Sequence, residues 1–251
     1  MFNREGISQA KVDFAEKRYC HIDNILETRY INELYRVVPR LPYGVWGCVG
    51  NSHNKYPAGF QNSDKFQGVL DGHISESRGE FSYFHYAYWL LEEHHKINDS
   101  ARVTEFNRVI TEDYSLIKPD YTFHDLVSEV TGFTNMHTNQ PTYSYYDHTA
   151  WLNAHHDPRR WCAYIFYFNK TWLTQWGGQL CILEEDQVTI KDSIEPFGNR
   201  LTIMDVSETT GSRINKHFIS PVSITADHPR YSLAGWFYQT DSNGPSPDKS
   251  Q

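Results

Sequence analysis

The chain has little from which to build a membrane segment, a disulfide framework or a nucleic-acid footprint. Its opening, MFNREGISQAKVDF, lacks the apolar core of a secretory signal, and the longest apolar stretches beyond it are broken within a few positions by polar or charged residues. A soluble, unprocessed chain with no membrane partner is expected. Only four cysteines occur, Cys20, Cys48, Cys162 and Cys181, widely spaced and without a CxxC or zinc-finger pattern. Buried thiols in a reducing cytoplasm are therefore expected rather than disulfides. Positive charge is also scarce: 23 Lys and Arg stand against 31 Asp and Glu, for a net charge of −8. A phosphate backbone is bound by clustered Lys and Arg that displace counterions, so no nucleic-acid partner is expected. Glycine and proline, 15 and 11 in 251 residues, are in no excess, which excludes collagen-like and linker-like chains.

What is present is the composition of a folded globule, 39% hydrophobic and 15% aromatic, with a length that suits one elaborated core. Residues 1–240 are read as a single domain. The polar tail 241–251, DSNGPSPDKSQ, has nothing apolar to bury and is read as flexible. Within the domain, Ile25–Val38 places Ile25, Tyr30, Ile31, Leu34, Val37 and Val38 at near-helical spacing, and further helical patterns run over 101–110 and 122–130. Between Pro39 and Gly79 the text is rich in Gly, Pro, Asn and Ser, the signature of loops and short strands that cover something.

After Gly132 the pattern changes to β-branched and aromatic runs: YSYY, WLNAHH, WCAYIFYF, QLCIL, RLTIMDV, HFISPVSI and YSLAGWFY. Short turns between them imply antiparallel pairing. The expected fold is mainly β with flanking helices (α+β): a double-stranded β-helix, or jelly roll, with the N-terminal helices packed on one sheet. Residues 133–240 would form that core, and 1–132 the helical and loop-rich support and substrate cover.

Thirteen histidines are a large supply of imidazole for metal binding, and equally of accidental motifs. An oxygen-activating iron site needs two imidazoles and one carboxylate on one face, leaving the other positions open. HxD on a strand provides this, because residues i and i+2 share a face. With 13 His and 16 Asp, about one HxD arises by chance, and the chain has two. His21-Ile22-Asp23 lies outside the strand-rich half and reads as a strand-end histidine and a helix-capping aspartate. His155-His156-Asp157 is followed, sixty residues after Asp157, by His217 at the head of an apolar strand. Arg230 and Ser232 then share a strand face, and a guanidinium fork with a neighbouring hydroxyl suits a dicarboxylate.

Taken in order, these residues with IFYFNKTW (165–172), WGGQLCI (176–182), IEPFGNRL (194–201), HFISPV (217–222) and PRYSLAGWFY (229–238) resemble the 2-oxoglutarate and Fe(II)-dependent dioxygenases, within them the prolyl hydroxylase-like group. The resemblance spans about 143–238. It implies that His155, Asp157 and His217 bind Fe(II), that Arg230 holds the distal carboxylate of 2-oxoglutarate, and that Tyr167, Ser232 and Tyr146 complete the cosubstrate site. Arg230, where collagen-type enzymes carry Lys, places the match nearer the oxygen-sensor and yeast-type branch. The implied reaction couples O2-driven decarboxylation of 2-oxoglutarate to succinate and CO2 with hydroxylation of an unactivated aliphatic C–H, with ascorbate as accessory reductant. A carboxylate at position 157, where radical halogenases have a small residue, favours hydroxylation.

The branch suggests a prolyl substrate in a peptide, while the loop-rich cover suggests a free amino acid or natural-product intermediate. From another class comes a noncatalytic jelly-roll module that binds metal or another ligand. A nucleic-acid demethylase is disfavoured by the acidic balance. His156 should face away from the metal, His94 and His95 belong to a solvated face, and Trp46, Trp151, Trp172 and Trp236 read as core.

Overall fold

The computed structural model describes residues 4–41, 46–49, 55–56, 67, 71, 83–89, 121–138, 141–157, 160–207 and 215–239. The pattern read over 101–110, the LLEEHHK segment and the tail 241–251 lie outside them.

The strand-rich half forms eight strands: β6 (Thr142–Tyr146), β7 (Trp151–His155), β8 (Cys162–Tyr167), β9 (Leu180–Leu183), β10 (Ile190–Ile194), β11 (Arg200–Asp205), β12 (His217–Ile219) and β13 (Arg230–Gln239). They interleave in two antiparallel sheets, β6-β13-β8-β11 and β7-β12-β9-β10, with the hairpin β9-β10 inside the second. That interleaving is the double-stranded β-helix. Outside these eight, β1 (Tyr19–Asp23) lies beside β11, β5 (Met136–Thr138) beside β13, and β4 (Tyr83–Trp89) pairs with both β6 and β7 and links the sheets. Two short strands, β2 (Gly47–Val49) and β3 (Lys55–Tyr56), extend β4's edge and fall in the stretch read as loops and short strands.

Side-chain alternation divides the larger sheet into two faces. Cys162, Tyr164 and Phe166 of β8, Leu201 and Ile203 of β11, and Leu233 and Phe237 of β13 join the buried cluster under the helices. Ala163, Met204 and Tyr146 instead join Leu180, Ile182 and Ile219 of the smaller sheet between the two sheets. The open ends of the two sheets are tied by the Tyr19 hydroxyl, which donates to Asp192 Oδ2 at 3.0 Å.

Among the described residues three helices cover the outer face. The helix α1 (Arg4–Lys17) buries Ile7, Ala10 and Phe14, one stripe at three- and four-residue steps. In α2 (Thr28–Val37) the stripe is Ile31, Leu34 and Val37, as the spacing predicts, and Pro39 turns the chain into a short 3-10 segment. The third, α3 (Phe123–Thr131), starts in a capping box: the Asp125 amide donates to Thr122 Oγ1 at 3.1 Å, and the Thr122 amide donates to Asp125 Oδ2 at 2.7 Å. It stops at Gly132, whose φ of +74° is the left-handed conformation that glycine adopts without strain. Phe123 meets Tyr164 edge-on at 4.8 Å, fixing α3 to the sheet.

The sequence reading lacks α1 and holds β1 only as the strand end at His21. In α1 one of the buried positions is a small Ala, so the apolar signal is weak. In β1 only Cys20 and Ile22 alternate against polar neighbours. Cys20, Cys162 and Cys181 are free buried thiols, as expected.

Candidate functional site

The antiparallel register of β12 on β7 sets His217 directly opposite His155, with ring centroids 4.3 Å apart. Asp157, two residues past the end of β7, closes the triangle: its Oδ1 lies 3.9 Å from His155 Nε2 and its Oδ2 lies 3.7 Å from His217 Nε2. The ligand-capable atoms all fall within 4.8 Å of one another, and among the described residues no other cluster of His, Cys, Asp and Glu does so. His156 is outside this group.

Each ring is oriented by the backbone two residues earlier. His155 Nδ1 contacts the Asn153 carbonyl oxygen at 2.8 Å, and His217 Nδ1 contacts that of Asn215 at 3.0 Å. A carbonyl only accepts, so both Nδ1 atoms carry the proton and both Nε2 atoms carry the lone pair that a metal ligand needs. Burial, then the neighbouring His217, pushes the His155 pKa below its ordinary value, which keeps that imidazole neutral. Burial works in the opposite sense on Asp157, but His217, His155 and Arg160 outweigh it and hold the carboxyl below the usual range.

The larger sheet supplies the second half of the site. At the head of β13, Arg230 is 1% exposed. Its Nη1 donates to Ser232 Oγ at 3.0 Å, and Ser232 Oγ in turn shares a hydrogen bond with Ser144 Oγ at 3.2 Å. The guanidinium carbon sits 5.1 Å from the Tyr146 ring centre and 4.9 Å from that of Tyr167. Its stem runs over Gly178, where an added Cβ would lie 3.0 Å from Arg230 Cδ and where φ is +71°; this is why the WGG turn needs glycine. An open cavity is lined by the triad together with Arg230, Ser232 and Tyr146.

Arg230 Nε and Nη2, the Tyr167 hydroxyl and the Thr202 hydroxyl are buried with no hydrogen-bond partner. Burial raises the Tyr167 pKa, opposed in part by Arg230 beside it, so the phenol is a proton donor at neutral pH. An unpaired buried guanidinium carries a desolvation cost of several kcal/mol. The arrangement fits an anion with several acceptor oxygens.

A family model described as the 2OG-Fe(II) oxygenase superfamily matches residues 141–238, the stretch that carries both halves of this site. Over residues 141–238 the chain is similar to the 2OG-Fe(II) oxygenase superfamily. No curated protein matches the chain. Among solved structures, a prolyl hydroxylase from Trichoplax adhaerens, in complex with a peptide fragment of the hypoxia inducible factor oxygen degradation domain, is similar at 15% identity and a TM-score of 0.57. There the alignment covers 94% of this chain and 91% of that one. A Pseudomonas putida prolyl-4-hydroxylase is similar at 14% identity and TM-score 0.51, with 94% and 100% covered. The non-heme alpha ketoglutarate dependent epimerase of nogalamycin biosynthesis is similar at 8% identity and TM-score 0.51, with 95% and 84% covered. At these identities the likeness is one of fold.

Oxygenases of this superfamily work with Fe(II), 2-oxoglutarate and O2, and the residues present fit them. Two imidazoles with Nε2 lone pairs and one buried carboxylate make an iron-competent donor set. The unpartnered donors around Arg230 suit a carboxylate of 2-oxoglutarate.

The decoy resolves differently. His21 is exposed in β1, and Asp23 takes both Arg200 Nε at 2.6 Å and Nη2 at 2.9 Å, an ion pair in place of the expected helix cap; the helix cap is Glu27. Trp46 and Trp172 are buried as core and Trp151 packs against it half-buried, but Trp236 lines the cavity. Three residues escaped the sequence reading. Thr202 sits on the inner face of β11, next to β8. Ser144 faces Ser232 across β6 and β13, and Arg160 donates to Asp157 Oδ1 at 3.2 Å. Thr202 and Ser144 carry an alternation signal, since each lies two residues from another inner-face residue; Arg160 carries none, because its role depends on a turn.

Proposed function

We propose that the protein hydroxylates an unactivated aliphatic C–H, with a prolyl residue of a peptide as the leading substrate, and releases succinate and CO2. The balance is one C–H, one O2 and one 2-oxoglutarate consumed, with one oxygen atom in the alcohol and the other in succinate. The observation that carries the reading is the buried Arg230, whose free Nε and Nη2 lie beside the free Tyr167 hydroxyl in the structure that also holds the His-Asp-His triangle.

In this reading His155 and His217 present Nε2 to the iron because their Nδ1 protons are committed to Asn153 and Asn215. Asp157 supplies the charge that anchors a divalent ion and occupies the position that a halide would need. Arg230 binds the distal carboxylate of 2-oxoglutarate through Nε and Nη2, Tyr167 and Thr202 donate to its oxygens, and Ser232, braced by Ser144, holds the guanidinium in place. Tyr146 supplies a ring face under the same guanidinium. Leu152, Ile165, Met204 and Ile219 line the same cavity with apolar surface that excludes water. When bound, iron, 2-oxoglutarate and O2 together supply the oxidising power, which no side chain provides.

Residues 1–240 act as one unit in this proposal, with 1–132 as support and substrate cover; the packing of α1, α2 and α3 on the outer face of the larger sheet supports it. A cytoplasmic location belongs to the same proposal, supported by three free buried thiols. Among the described residues no helix is long and apolar enough to cross a membrane.

A free amino acid or natural-product intermediate is the second substrate reading, favoured by the fold likeness to the nogalamycin epimerase. The test is 2-oxoglutarate turnover screened against proline, prolyl peptides and a cell extract, with succinate and hydroxylated product quantified together. Product from a prolyl peptide in step with succinate supports the leading reading. Coupled turnover only with free proline or an extract metabolite moves the substrate to the second, and no coupled turnover with any of them overturns the hydroxylase.

A further inference from the structure

The triad is not the whole of the structure around the metal position. Arg160, three residues beyond Asp157, has a side chain only 26% exposed and is held at three points. Its Nη1 donates to Asp157 Oδ1 at 3.2 Å, its Nε donates to the Tyr238 hydroxyl at 3.2 Å, and its guanidinium carbon lies 4.4 Å over the Trp236 ring. Trp236 and Tyr238 are alternate residues of β13, the strand that begins with Arg230. A single strand thus positions the guanidinium that faces the cosubstrate pocket at one end and, six residues on, the platform for a second guanidinium.

We infer that Arg160 is a positioning residue: it engages Asp157 Oδ1, turns Oδ2 towards His217, and so makes Asp157 a single-oxygen ligand that leaves coordination positions open. The inference rests on the metal-site reading above. The geometry supplies the argument. A carboxylate that is free to rotate offers an ion both oxygens, and a second bound oxygen takes a position that the cosubstrate or O2 needs. Here the two oxygens are inequivalent. Oδ1 already accepts from Arg160 at 3.2 Å, whereas the distance from Oδ2 to His217 Nε2 is 3.7 Å and no hydrogen bond is made there.

The planar guanidinium is the group suited to this task, because it can donate in two directions within one plane while stacking its face on an indole. Nη1 points to Asp157 and Nε to Tyr238, so rotation of the fork would break both bonds and lose the ring contact. Arg160 also supplies a positive charge beside a carboxylate that is 5% exposed, which lowers the cost of holding that carboxylate ionised before an ion arrives. A bland alternative is that Arg160 only ties the turn after β7 to β13. That role would be visible in stability but not in metal coordination.

Co(II) serves as the optical probe, in the absence of O2 and 2-oxoglutarate, with the full chain. Wild-type protein, Arg160→Gln and Tyr238→Phe are titrated, and the d–d absorption and the unfolding midpoint of the metal-free protein are recorded. Arg160→Gln is expected to weaken Co(II) binding by about 10- to 100-fold, the range for loss of a group that orients a metal ligand, and to alter the d–d envelope. Tyr238→Phe, which touches neither Asp157 nor the metal, is expected to move affinity in the same direction by less. It keeps the question answerable should Arg160→Gln not fold. Unchanged Co(II) affinity and spectrum in both variants, with lowered midpoints, overturn the inference and leave a structural tie. Failure of the site reading itself looks different: wild-type protein would then bind no Co(II) that His217→Ala abolishes.

Discussion

Replacing Arg230 by Met separates what the residue does for the fold from what it does for the cosubstrate. The Met stem keeps the unbranched packing over Gly178 and removes only the charged head. In the ligand-free protein that head is 1% exposed, makes one hydrogen bond to Ser232 and lies near two tyrosine rings. The hydrogen bond contributes about 1.5–3 kcal/mol and each ring contact about 0.5–2 kcal/mol. Against them stands an effective desolvation cost of several kcal/mol for a buried ion. The terms nearly cancel, so the metal-free Arg230→Met protein should unfold within about 2 kcal/mol of wild type, whereas breaking a satisfied buried ion pair costs about 3–5 kcal/mol. Cosubstrate binding should suffer far more. Loss of one partner of a buried charged pair costs about 2–5 kcal/mol, which is roughly a 30- to 4,000-fold weaker affinity for 2-oxoglutarate. The assay is thermal and urea unfolding of both proteins with Co(II), with and without 2-oxoglutarate. Wild type should gain stability from 2-oxoglutarate and the variant should not. A variant that is destabilised by more than about 3 kcal/mol yet keeps the full 2-oxoglutarate shift would refute the reasoning, because Arg230 would then be a satisfied structural residue.

Asp157→Ala should end succinate-coupled product formation, and full retention of coupled product would remove Asp157 from the site. Because the Arg200 hydrogen bonds hold Asp23 below the ordinary carboxylate range, its contribution to stability is present above that range and is lost as pH falls through the depressed value. Asp23→Asn should therefore lower stability at neutral pH by about 1 kcal/mol, a half-exposed pair being screened by solvent. It should also leave Co(II) affinity unchanged and flatten the acid limb of a stability-versus-pH curve; weakened Co(II) binding would revive His21-Ile22-Asp23 as a metal site. His155 has a linkage of the same sign at higher pH. Its lowered pKa means that the unfolded chain takes up a proton the folded chain resists below about pH 6.5, so metal-free stability should fall with pH there. His155→Gln should reduce that slope, and an unchanged slope in urea titrations would contradict the burial argument. Gly177→Ala forces φ of +73° on a residue whose Cβ would lie 2.0 Å from the Pro221 carbonyl oxygen, so a loss of at least about 2 kcal/mol is expected in the urea midpoint.

The candidate site was legible where chemistry and strand periodicity coincide. His155 and Asp157 share a strand face by spacing, and His217 and Arg230 head apolar strands whose order in an antiparallel roll brings them back to the first. What set the true HxD apart from its decoy was the downstream text. The triplet at 21–23 also lies in a strand, but its carboxylate is taken by Arg200, a partner 177 residues away. Residues that act through the site were hidden for a similar reason. Arg160 reaches Asp157 only because β13 presents Trp236 and Tyr238 to it, and the carbonyls of Asn153 and Asn215 have no side-chain signature at all. On the fold side, the inner strands announced themselves by apolar alternation. By contrast β10, IKDSI, is mostly exposed, and α1 buries only three side chains, so tertiary contacts rather than local pattern define both.

The central claim is that one site holds Fe(II) through His155, Asp157 and His217 and 2-oxoglutarate through Arg230. Its most direct test is an anaerobic titration of the full chain with Fe(II) and 2-oxoglutarate, followed by visible absorption. The account predicts a weak charge-transfer band that needs both additions, disappears in His217→Ala, and in Arg230→Met appears only at much higher 2-oxoglutarate. No such band in wild type, together with tight zinc binding, would contradict it and favour a noncatalytic metal-binding jelly roll.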